Sequence, residues 1–235
     1  KSRLHLVGLL SLGGVHASLD HLFALLELAK KQELKEVFVH AILDGRDMAY
    51  NSGLDLLAEL QSKMKEIGVG QIATVIGRFY SLDRDNHWER IKIGYDLMTA
   101  GKAEEKTTDV LKAVKKFYDQ KIYDEEMKPI LVAGAAPVAN QDAVIFFNFR
   151  PDRARELTKA FVLPGFEKFS REYLTDLCFV TLTQYEKQLP VEVAYPPDSV
   201  AEPLSKVLSE AGLKQLHLGE TEKYAHITYF FNGGL

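Results

Sequence analysis

Three arginines follow a continuous apolar run in the middle of the chain. The run 143–149 is typical of a buried strand, and Arg150, Arg153 and Arg155 come directly after it. A guanidinium carries a planar fork of donors that matches carboxylate and phosphate groups bidentately. Pro151 suits the first position of a helix, which would place Arg153 in a first turn, where free backbone N–H groups also favour anions. The pattern predicts a clamp for a ligand with more than one negative charge.

Polar side chains also follow the three earlier runs that are typical of strands. Ligands of open parallel sheets bind outside the carboxyl ends of the strands, so we expect these side chains to converge. Asp47 is either a candidate acid–base group or the counter-ion that holds the arginines in place. Together with the arginines above, the candidates are His16, Arg46, Asp47, Arg78, Arg84, Arg150 and Arg153.

Several of these residues also have plainer interpretations. Arg153 and Arg155 could pair with neighbouring carboxylates on a solvated helix face. Arg84 and Arg90 could form surface ion pairs, each contributing less than about 1 kcal/mol, and this is the favoured interpretation of Arg90. Asp44 is expected to close the turn after the second strand. The remaining histidines in apolar stretches are expected to be packed or surface residues rather than ligands, namely His5, His21, His40 and His217.

The elements that must position these residues alternate between apolar strands and amphipathic helices. Continuous apolar strands, as opposed to alternating ones, are typical of a parallel sheet that is covered on both faces. We therefore predict an α/β fold with a mostly parallel sheet and helices on both faces, in three layers and a single domain. The predicted strands are 4–10, 36–43, 71–80, 143–149, 177–183 and 213–218, with a helix near 200–211.

The composition restricts the class of protein. The 235 residues are 46% hydrophobic and 26% charged, as in an ordinary globular protein. The net charge of −4 provides no basic field for nucleic acid or an anionic membrane, so an anion site has to be built locally. The single Cys178 excludes an internal disulfide. The sequence has no apolar run of membrane-spanning length, and it has no metal-ligand, Walker or nucleophile-elbow motif.

Two stretches are less regular, and the ends look unfinished. The segment 101–142 has the weakest pattern, and a Pro-containing connector at 190–197 does not by itself require a domain boundary. The segment 223–235 is predicted to be a strand that finishes on a turn. We expect from these ends that the chain was cut from a larger protein.

Seven motifs together resemble the cofactor-independent (2,3-bisphosphoglycerate-independent) phosphoglycerate mutase family. They occur in the family's order across nearly all of the chain, which makes the resemblance very specific. The motifs are HLVGLLSLGGVHASLDHLFALLELA, LDGRD, GRFYSLDRDNHWERI, FFNFRPDRARELT, TQYEK, LPVEVAYPP and ETEKYAHITYFFNGG.

The resemblance implies a two-domain isomerase of glycolysis and gluconeogenesis that interconverts 3- and 2-phosphoglycerate through a phosphoserine. A phosphatase-like domain carries the serine and two manganese ions, and an inserted phosphotransferase domain holds the phosphoglycerate. This chain resembles the inserted domain only, with 1–220 as that domain and 221–235 as the hinge and first strand leading back. It would bind substrate without turnover and hold no metal, because the serine and the manganese ligands lie outside it. We expect a cytoplasmic monomer that binds neither nucleic acid nor membrane.

The family's site residues can be carried over position by position. Asp47 would be the general acid and base on the glycerate hydroxyls, Arg150 and Arg153 would neutralise the moving phosphoryl group, and Lys223 would reach that group. These four would be the catalytic residues. The substrate-binding residues would be His16, Arg46, Asp47, Arg78, Arg84, Arg150, Arg153 and Lys223.

The chain departs from the family's pattern in two loops. Leu12 stands where the family usually has Asp, Ala17 where it has a small polar residue, and 48–50 read Met-Ala-Tyr in place of Thr-Pro-Pro. None of these changes removes an arginine. Two other functions stay open on the residues alone. One is a non-catalytic binding module for phosphorylated small acids, and the other is a structural α/β domain whose arginines form surface ion pairs.

Overall fold

The protein is described by a computed structural model, which covers residues 3–198 and 200–233. In these ranges eight strands form one sheet in the order β4-β5-β3-β2-β1-β6-β7-β8. Neighbouring strands are parallel except for the pair β3 and β5. The strands are β1 (Leu4–Leu10), β2 (Val37–Leu43), β3 (Gln71–Gly77), β4 (Glu105–Thr107), β5 (Ile130–Val132), β6 (Ala143–Phe146), β7 (Cys178–Thr183) and β8 (Glu192–Tyr195).

Helices cover both faces of the sheet, so the predicted α/β class is confirmed. In α1 the buried residues are Leu19, Leu22, Leu26 and Ala29, whose spacing of three and four places them on one side of the helix. The helices in the described residues are α1 (Leu19–Lys31), α2 (Gly53–Ile67), α3 (Arg78–Ser81), α4 (Trp88–Ala100), α5 (Val110–Asp119), α6 (Arg155–Val162) and α7 (Leu204–Glu210).

The central strands explain the continuous apolar runs of the sequence. All seven residues of β1 and all seven of β2 are buried, because both strands have neighbours on either side and helices above and below. Burying one large aliphatic side chain contributes about 1.5–3 kcal/mol, so these strands form the centre of the core.

The strand order creates a crevice at one end of the sheet. The chain runs outward from β1 through β2 to β3, and later returns to the other side of β1 with β6, β7 and β8. The order therefore reverses between β1 and β6. In open α/β sheets the ligand crevice lies at such a reversal, outside the carboxyl ends of the strands.

Several predicted boundaries need correction. The third strand ends at Gly77, and Arg78 begins the short helix α3. The irregular segment 101–142 contains β4, α5 and β5. Residues 213–218 form no strand in the described structure.

The predicted strand at 223–235 is also wrong within the described residues. The chain there forms a 3₁₀ turn at Thr221–Lys223 and a π-helical segment at His226–Phe230. The aromatic and β-branched residues favour a strand only when a neighbouring strand is available for pairing. In residues 196–198 and 200–233 no strand is present to accept it.

The chain divides into two compact units, Lys1–Tyr195 and Pro196–Leu235. The first unit contains the whole sheet, and the second contains α7 and the two helical segments that follow it. The division falls inside the Pro-containing connector 190–197, whereas the domain limits of 1–220 and 221–235 stay a prediction. Among the described residues, no helix combines the length and the apolar character that are needed to cross a bilayer.

Candidate functional site

Arg78 lies at the centre of a cluster of charged side chains at the carboxyl end of the sheet. Its Nη1 donates to Asp44 Oδ1 at 2.5 Å and to Asp47 Oδ2 at 2.6 Å. Burial opposes the charged form of Arg78, but the hydrogen bonds from its guanidinium to Asp47 and Asp44 outweigh burial and raise its pKa. The guanidinium therefore stays charged and connects the end of β3 to the loop after β2.

Asp44 organises the loop after β2. Its Oδ1 accepts from the backbone N–H groups of Arg46 at 3.2 Å and Asp47 at 3.0 Å, so it closes this turn as the sequence predicted. Its Oδ2 accepts from Ser11 Oγ at 2.6 Å, which links the loop to the end of β1. Burial raises the pKa of Asp44, but the hydrogen bonds from Asp47 and Ser11 outweigh it and leave the pKa lowered.

His16 joins the loop after β1 to the loop after β6. Its carbonyl oxygen accepts from the backbone N–H groups of Phe149 at 2.8 Å and Arg150 at 3.3 Å. Its ring lies between two carboxylates, with Nε2 3.8 Å from Asp47 Oδ2 and Nδ1 3.5 Å from Asp152 Oδ1. Burial lowers the pKa of His16, and the positive charge of Arg78 adds to the decrease. Both effects favour the neutral form of the ring.

Asp152 is a member of the cluster that the sequence considered only as a helix-face partner. Its Oδ2 accepts from Arg84 Nη1 at 2.9 Å, and its Oδ1 lies 3.2 Å from Arg150 Nε. It thus holds one arginine from the loop after β3 beside another from the loop after β6. The sequence signal that could have identified Asp152 is its position between two arginines in the motif RPDR.

Arg153 lies in the turn before α6. The prediction that it falls in the first helical turn is wrong, because α6 begins at Arg155. Its Nη1 donates to the carbonyl oxygen of Leu82 at 3.0 Å. Burial lowers the pKa of Arg153, and the positive charges of Arg78, Arg84 and Arg46 lower it further. A bound anion would relieve this repulsion.

Arg153 faces a cavity of about 260 Å³ beside the cluster. Four arginines line it, and four carboxylates share its walls with two apolar side chains. The lining residues are Arg46, Arg78, Phe79, Leu82, Asp83, Asp85, Arg90, Glu125, Glu126 and Arg153. A space with this lining suits a small polar anion that replaces some of the internal ion pairs.

Arg90 is a lining residue that the sequence assigned to the surface. Its guanidinium lies 4.0 Å from the centroid of the Phe79 ring, and its Nη1 donates to Asp83 Oδ1 at 3.4 Å. The surface interpretation was correct in naming an ion pair, but the pair lies in the cavity wall. The nearby residues 78–85 supply half of the wall, but the remainder comes from distant positions at 46, 125–126 and 153, which no local pattern relates to Arg90.

The sequence also singled out Arg155 and Lys223. Arg155 donates from Nε to the carbonyl oxygen of Tyr185 at 2.6 Å. Lys223 belongs to the second unit, where it ends the 3₁₀ turn and its side chain is exposed. The structure thus brings together His16, Arg46, Asp47, Arg78, Arg84, Arg150 and Arg153 from the segments that follow β1, β2, β3 and β6 in the first unit.

The described residues contain no arrangement of side chains that suits a metal ion. Within residues 3–198 and 200–233, no group of three or more His, Cys, Asp or Glu side chains is placed to bind one. The carboxylates of the cluster are instead paired with arginines, which favours an anionic ligand over a cation.

Comparison with known proteins identifies the family. Residues 1–187 match the family described as "BPG-independent PGAM N-terminus". The 2,3-bisphosphoglycerate-independent phosphoglycerate mutase of Rippkaea orientalis is 50% identical over 235 residues, which are all of this chain and 44% of that protein. The enzyme of the same name from Clostridium perfringens strain 13 is 51% identical over 237 residues, 99% of this chain and 46% of that protein.

A solved structure agrees in fold. Phosphoglycerate mutase of Leishmania mexicana, crystallised at low cobalt concentration, matches with a TM-score of 0.84 and 31% identity, over 99% of this chain and 45% of that one. The chain therefore spans somewhat less than half the length of the relatives it matches. Since the family match covers most of the chain, the protein belongs to the N-terminal family of 2,3-bisphosphoglycerate-independent phosphoglycerate mutases.

Proposed function

We propose that this chain is the substrate-binding, phosphotransferase part of a phosphoglycerate mutase that interconverts 3- and 2-phosphoglycerate. The observation that carries the proposal is the convergence of guanidinium groups from separate loops around one cavity. Both phosphoglycerates carry a carboxylate and a phosphate, and each of these groups matches a guanidinium fork. The names of the relatives suggest the substrate, and the arginines that line the cavity match its two charged groups.

In this proposal the arginines have different roles in binding the substrate. Arg78 is held by two carboxylates, so it forms a fixed positive centre. Arg46, Arg84 and Arg150 have partly exposed side chains and weaker or shared carboxylate partners. These three are therefore free to exchange protein carboxylates for those of a ligand, while Arg153 is already among like charges and gains most from an anion.

Asp47 is the proposed acid–base group. It is partly exposed, and its Oδ2 is held by Arg78 at 2.6 Å with His16 Nε2 at 3.8 Å. This arrangement fixes the carboxylate at the edge of the cluster, where it would take a proton from one glycerate hydroxyl and return it to the other. Arg150 and Arg153 would neutralise the charge of the phosphoryl group during transfer.

The complete reaction is proposed for the longer protein. In that protein a phosphoserine and two manganese ions would lie in a phosphatase-like domain outside this chain, and Lys223 would reach the phosphoryl group from the hinge. The assignment of Lys223 rests on the motif TEKYAH alone. On this proposal the chain of 235 residues binds substrate without turnover, and the longer protein is a cytoplasmic monomer of glycolysis and gluconeogenesis.

A second candidate is a non-catalytic module that binds phosphorylated small acids. It shares the same cluster and differs only in lacking a phosphatase-like partner. The two functions are separated by a chimaera in which this chain replaces the matching part of the Clostridium perfringens protein, which is 51% identical to it. Mutase turnover by the chimaera supports the enzyme, and a folded chimaera that binds 3-phosphoglycerate without turnover supports the module.

Binding is tested by titration calorimetry of the chain with 3-phosphoglycerate. Arg153→Gln should weaken binding roughly tenfold to a hundredfold, because it removes charge-assisted hydrogen bonds to an anion. Arg155→Gln is the matched control, since it removes the same charge two residues away from a side chain that bonds to Tyr185 instead. Equal losses in the two variants, with both folded, would contradict a specific arginine site and favour a structural domain.

A further inference from the structure

Met48 connects the two loops in which the chain departs from the family's pattern. The backbone N–H of Leu12, in the loop after β1, donates to Met48 Sδ at a nitrogen–sulfur distance of 3.0 Å. Gly13 packs beside this contact, because a Cβ atom on Gly13 would lie 2.8 Å from the carbonyl oxygen of Asp47. The two loops therefore touch directly beside the proposed acid–base group.

Met48 is also the most accessible methionine. The chain has four methionines, and all of them lie in the described residues. Met64 is 6% exposed, and Met98 and Met127 are fully buried. Met48 is partly exposed, and Leu12, whose backbone N–H contacts it from the other loop, is 59% exposed. Susceptibility to oxidation increases with exposure, and Met48 is the most exposed of the four methionine residues, so peroxide should select it.

Oxidation would break the contact. A hydrogen bond from a backbone N–H to an oxygen atom alone needs about 2.9 Å between nitrogen and oxygen. The observed 3.0 Å between Leu12 N and Met48 Sδ leaves no room for an oxygen atom between them. A sulfoxide oxygen placed toward Leu12 must push the loops apart. One placed away from Leu12 leaves the sulfur with a partial positive charge, so that it no longer accepts the hydrogen bond from the Leu12 N–H.

We propose that Met48 is a reversible oxidation site whose sulfoxide separates the loop after β1 from the loop that carries Asp47. In the modification, the thioether sulfur attacks one oxygen of hydrogen peroxide and the O–O bond breaks. The sulfur is oxidised to the sulfoxide, and the other oxygen leaves as hydroxide and takes up the proton of the transferred hydroxyl, giving water. Methionine sulfoxide reductases reverse the change.

The test is peroxide treatment of the chain, followed by peptide mass analysis and hydrogen exchange. Both measurements use a Cys178→Ser background, because Cys178 is exposed and also reacts with peroxide. Met48 should gain one oxygen at least about tenfold faster than Met64, Met98 or Met127. Hydrogen exchange of the Leu12 amide should accelerate on oxidation and return to its starting rate after treatment with the reductase.

Met48→Leu is the matched control. Leucine keeps the apolar contact but accepts no hydrogen bond, so the Leu12 amide of this variant should exchange faster from the start and be insensitive to peroxide. The proposal is overturned if Met48 reacts no faster than the buried methionines. It is equally overturned if Leu12 exchange is the same before and after oxidation.

A consequence for ligand binding rests on the proposed function. Loss of one hydrogen bond beside Asp47 should weaken 3-phosphoglycerate binding about fivefold in the oxidised chain. If the untreated chain fails to bind 3-phosphoglycerate, the proposed function fails, while mass analysis and hydrogen exchange still decide the role of Met48. If binding is normal but unchanged by full oxidation of Met48, this consequence is refuted and the proposed function stands.

Discussion

Arg78 Nη1 lies 2.5 Å from Asp44 Oδ1, and both side chains are almost completely buried, at 3% and 0% exposure. Such a pair contributes little net stability compared with two apolar residues, but removing Asp44 would leave the buried Arg78 with one carboxylate partner, Asp47, instead of two. The pair therefore sets the geometry of the cluster more than it strengthens the fold.

We predict that Asp44→Ala destabilises the protein by about 3 kcal/mol, because Arg78 loses one of its two carboxylates and the turn loses its hydrogen bonds from the N–H groups of Arg46 and Asp47. Urea unfolding followed by circular dichroism measures this. The control is Asp152→Ala, whose pairs with Arg84 and Arg150 are more exposed and should contribute about 1 kcal/mol or less. Similar losses in the two variants would show that burial of the pair does not matter.

Asp47→Asn should separate binding from turnover. In the chimaera with the Clostridium perfringens enzyme, the amide keeps the size of the side chain but cannot take a proton, so turnover should fall about a hundredfold or more. The affinity of the isolated chain for 3-phosphoglycerate should change only a few-fold. Steady-state kinetics and calorimetry give the two values, and normal turnover would remove the proposed role of Asp47.

Because of two buried histidines, we predict that the folded protein loses stability in acid. His5 Nδ1 lies 2.9 Å from His40 Nε2, and His5 Nε2 lies 3.2 Å from Asp142 Oδ2. Burial lowers the pKa of His5 from 6.5 to about 4, although Asp142 acts in the opposite direction. Burial also lowers the pKa of His40, and its other nitrogen lies 2.9 Å from Thr74 Oγ1.

The direction of this pH dependence follows from the number of protons that the folded and unfolded chains bind. Between pH 6.5 and about 4 the unfolded chain binds a proton at His5 that the folded chain does not, so stability falls as the pH falls. The loss from His5 amounts to about 3 kcal/mol across this window. Urea unfolding from pH 7 to 4 should show a smaller decline in His5→Gln than in the parent, and an identical decline would contradict the prediction.

Asp124 should act in the opposite direction over nearly the same pH range. Its Oδ2 accepts from the backbone N–H of Gly53 at 2.7 Å, at the start of α2, and its Oδ1 accepts from the hydroxyl of Tyr118. Burial raises the pKa of Asp124 from 3.8 to about 6, although the hydrogen bond from Tyr118 acts to lower it. Stability from this group is therefore full below pH 3.8 and is lost as the pH rises to about 6.

Asp124→Asn should remove this opposing contribution of about 3 kcal/mol. The variant should then lose stability more steeply than the parent when the pH falls from 6 to 4, because the histidines act unopposed. The same urea series measures it, with Asp55→Asn on an exposed part of α2 as the control. A shallower decline in Asp124→Asn would contradict the raised pKa.

Local patterns determined much of this protein. The apolar runs of β1 and β2 follow from burial on both faces, so the sequence alone predicts strands there and a parallel sheet. The polar residues at the strand ends followed from the same reasoning, since the carboxyl ends of parallel strands share one rim. The sequence by itself was therefore enough to predict that Arg46, Asp47, Arg78 and Arg153 lie near one another.

Which charged side chains form pairs was decided only by the tertiary structure. Arg84 pairs with Asp152 across 68 residues of chain, and Arg90 reaches the cavity wall from α4, which packs against α3 and α6. The contact between Leu12 and Met48 likewise joins residues that are distant in sequence. The helical form of His226–Phe230 also differs from what its composition predicts. The periodicity of apolar residues indicates which face of each segment is buried. The pairing of charged side chains depends instead on the order of the strands in the sheet. That order is set by the packing of the whole chain.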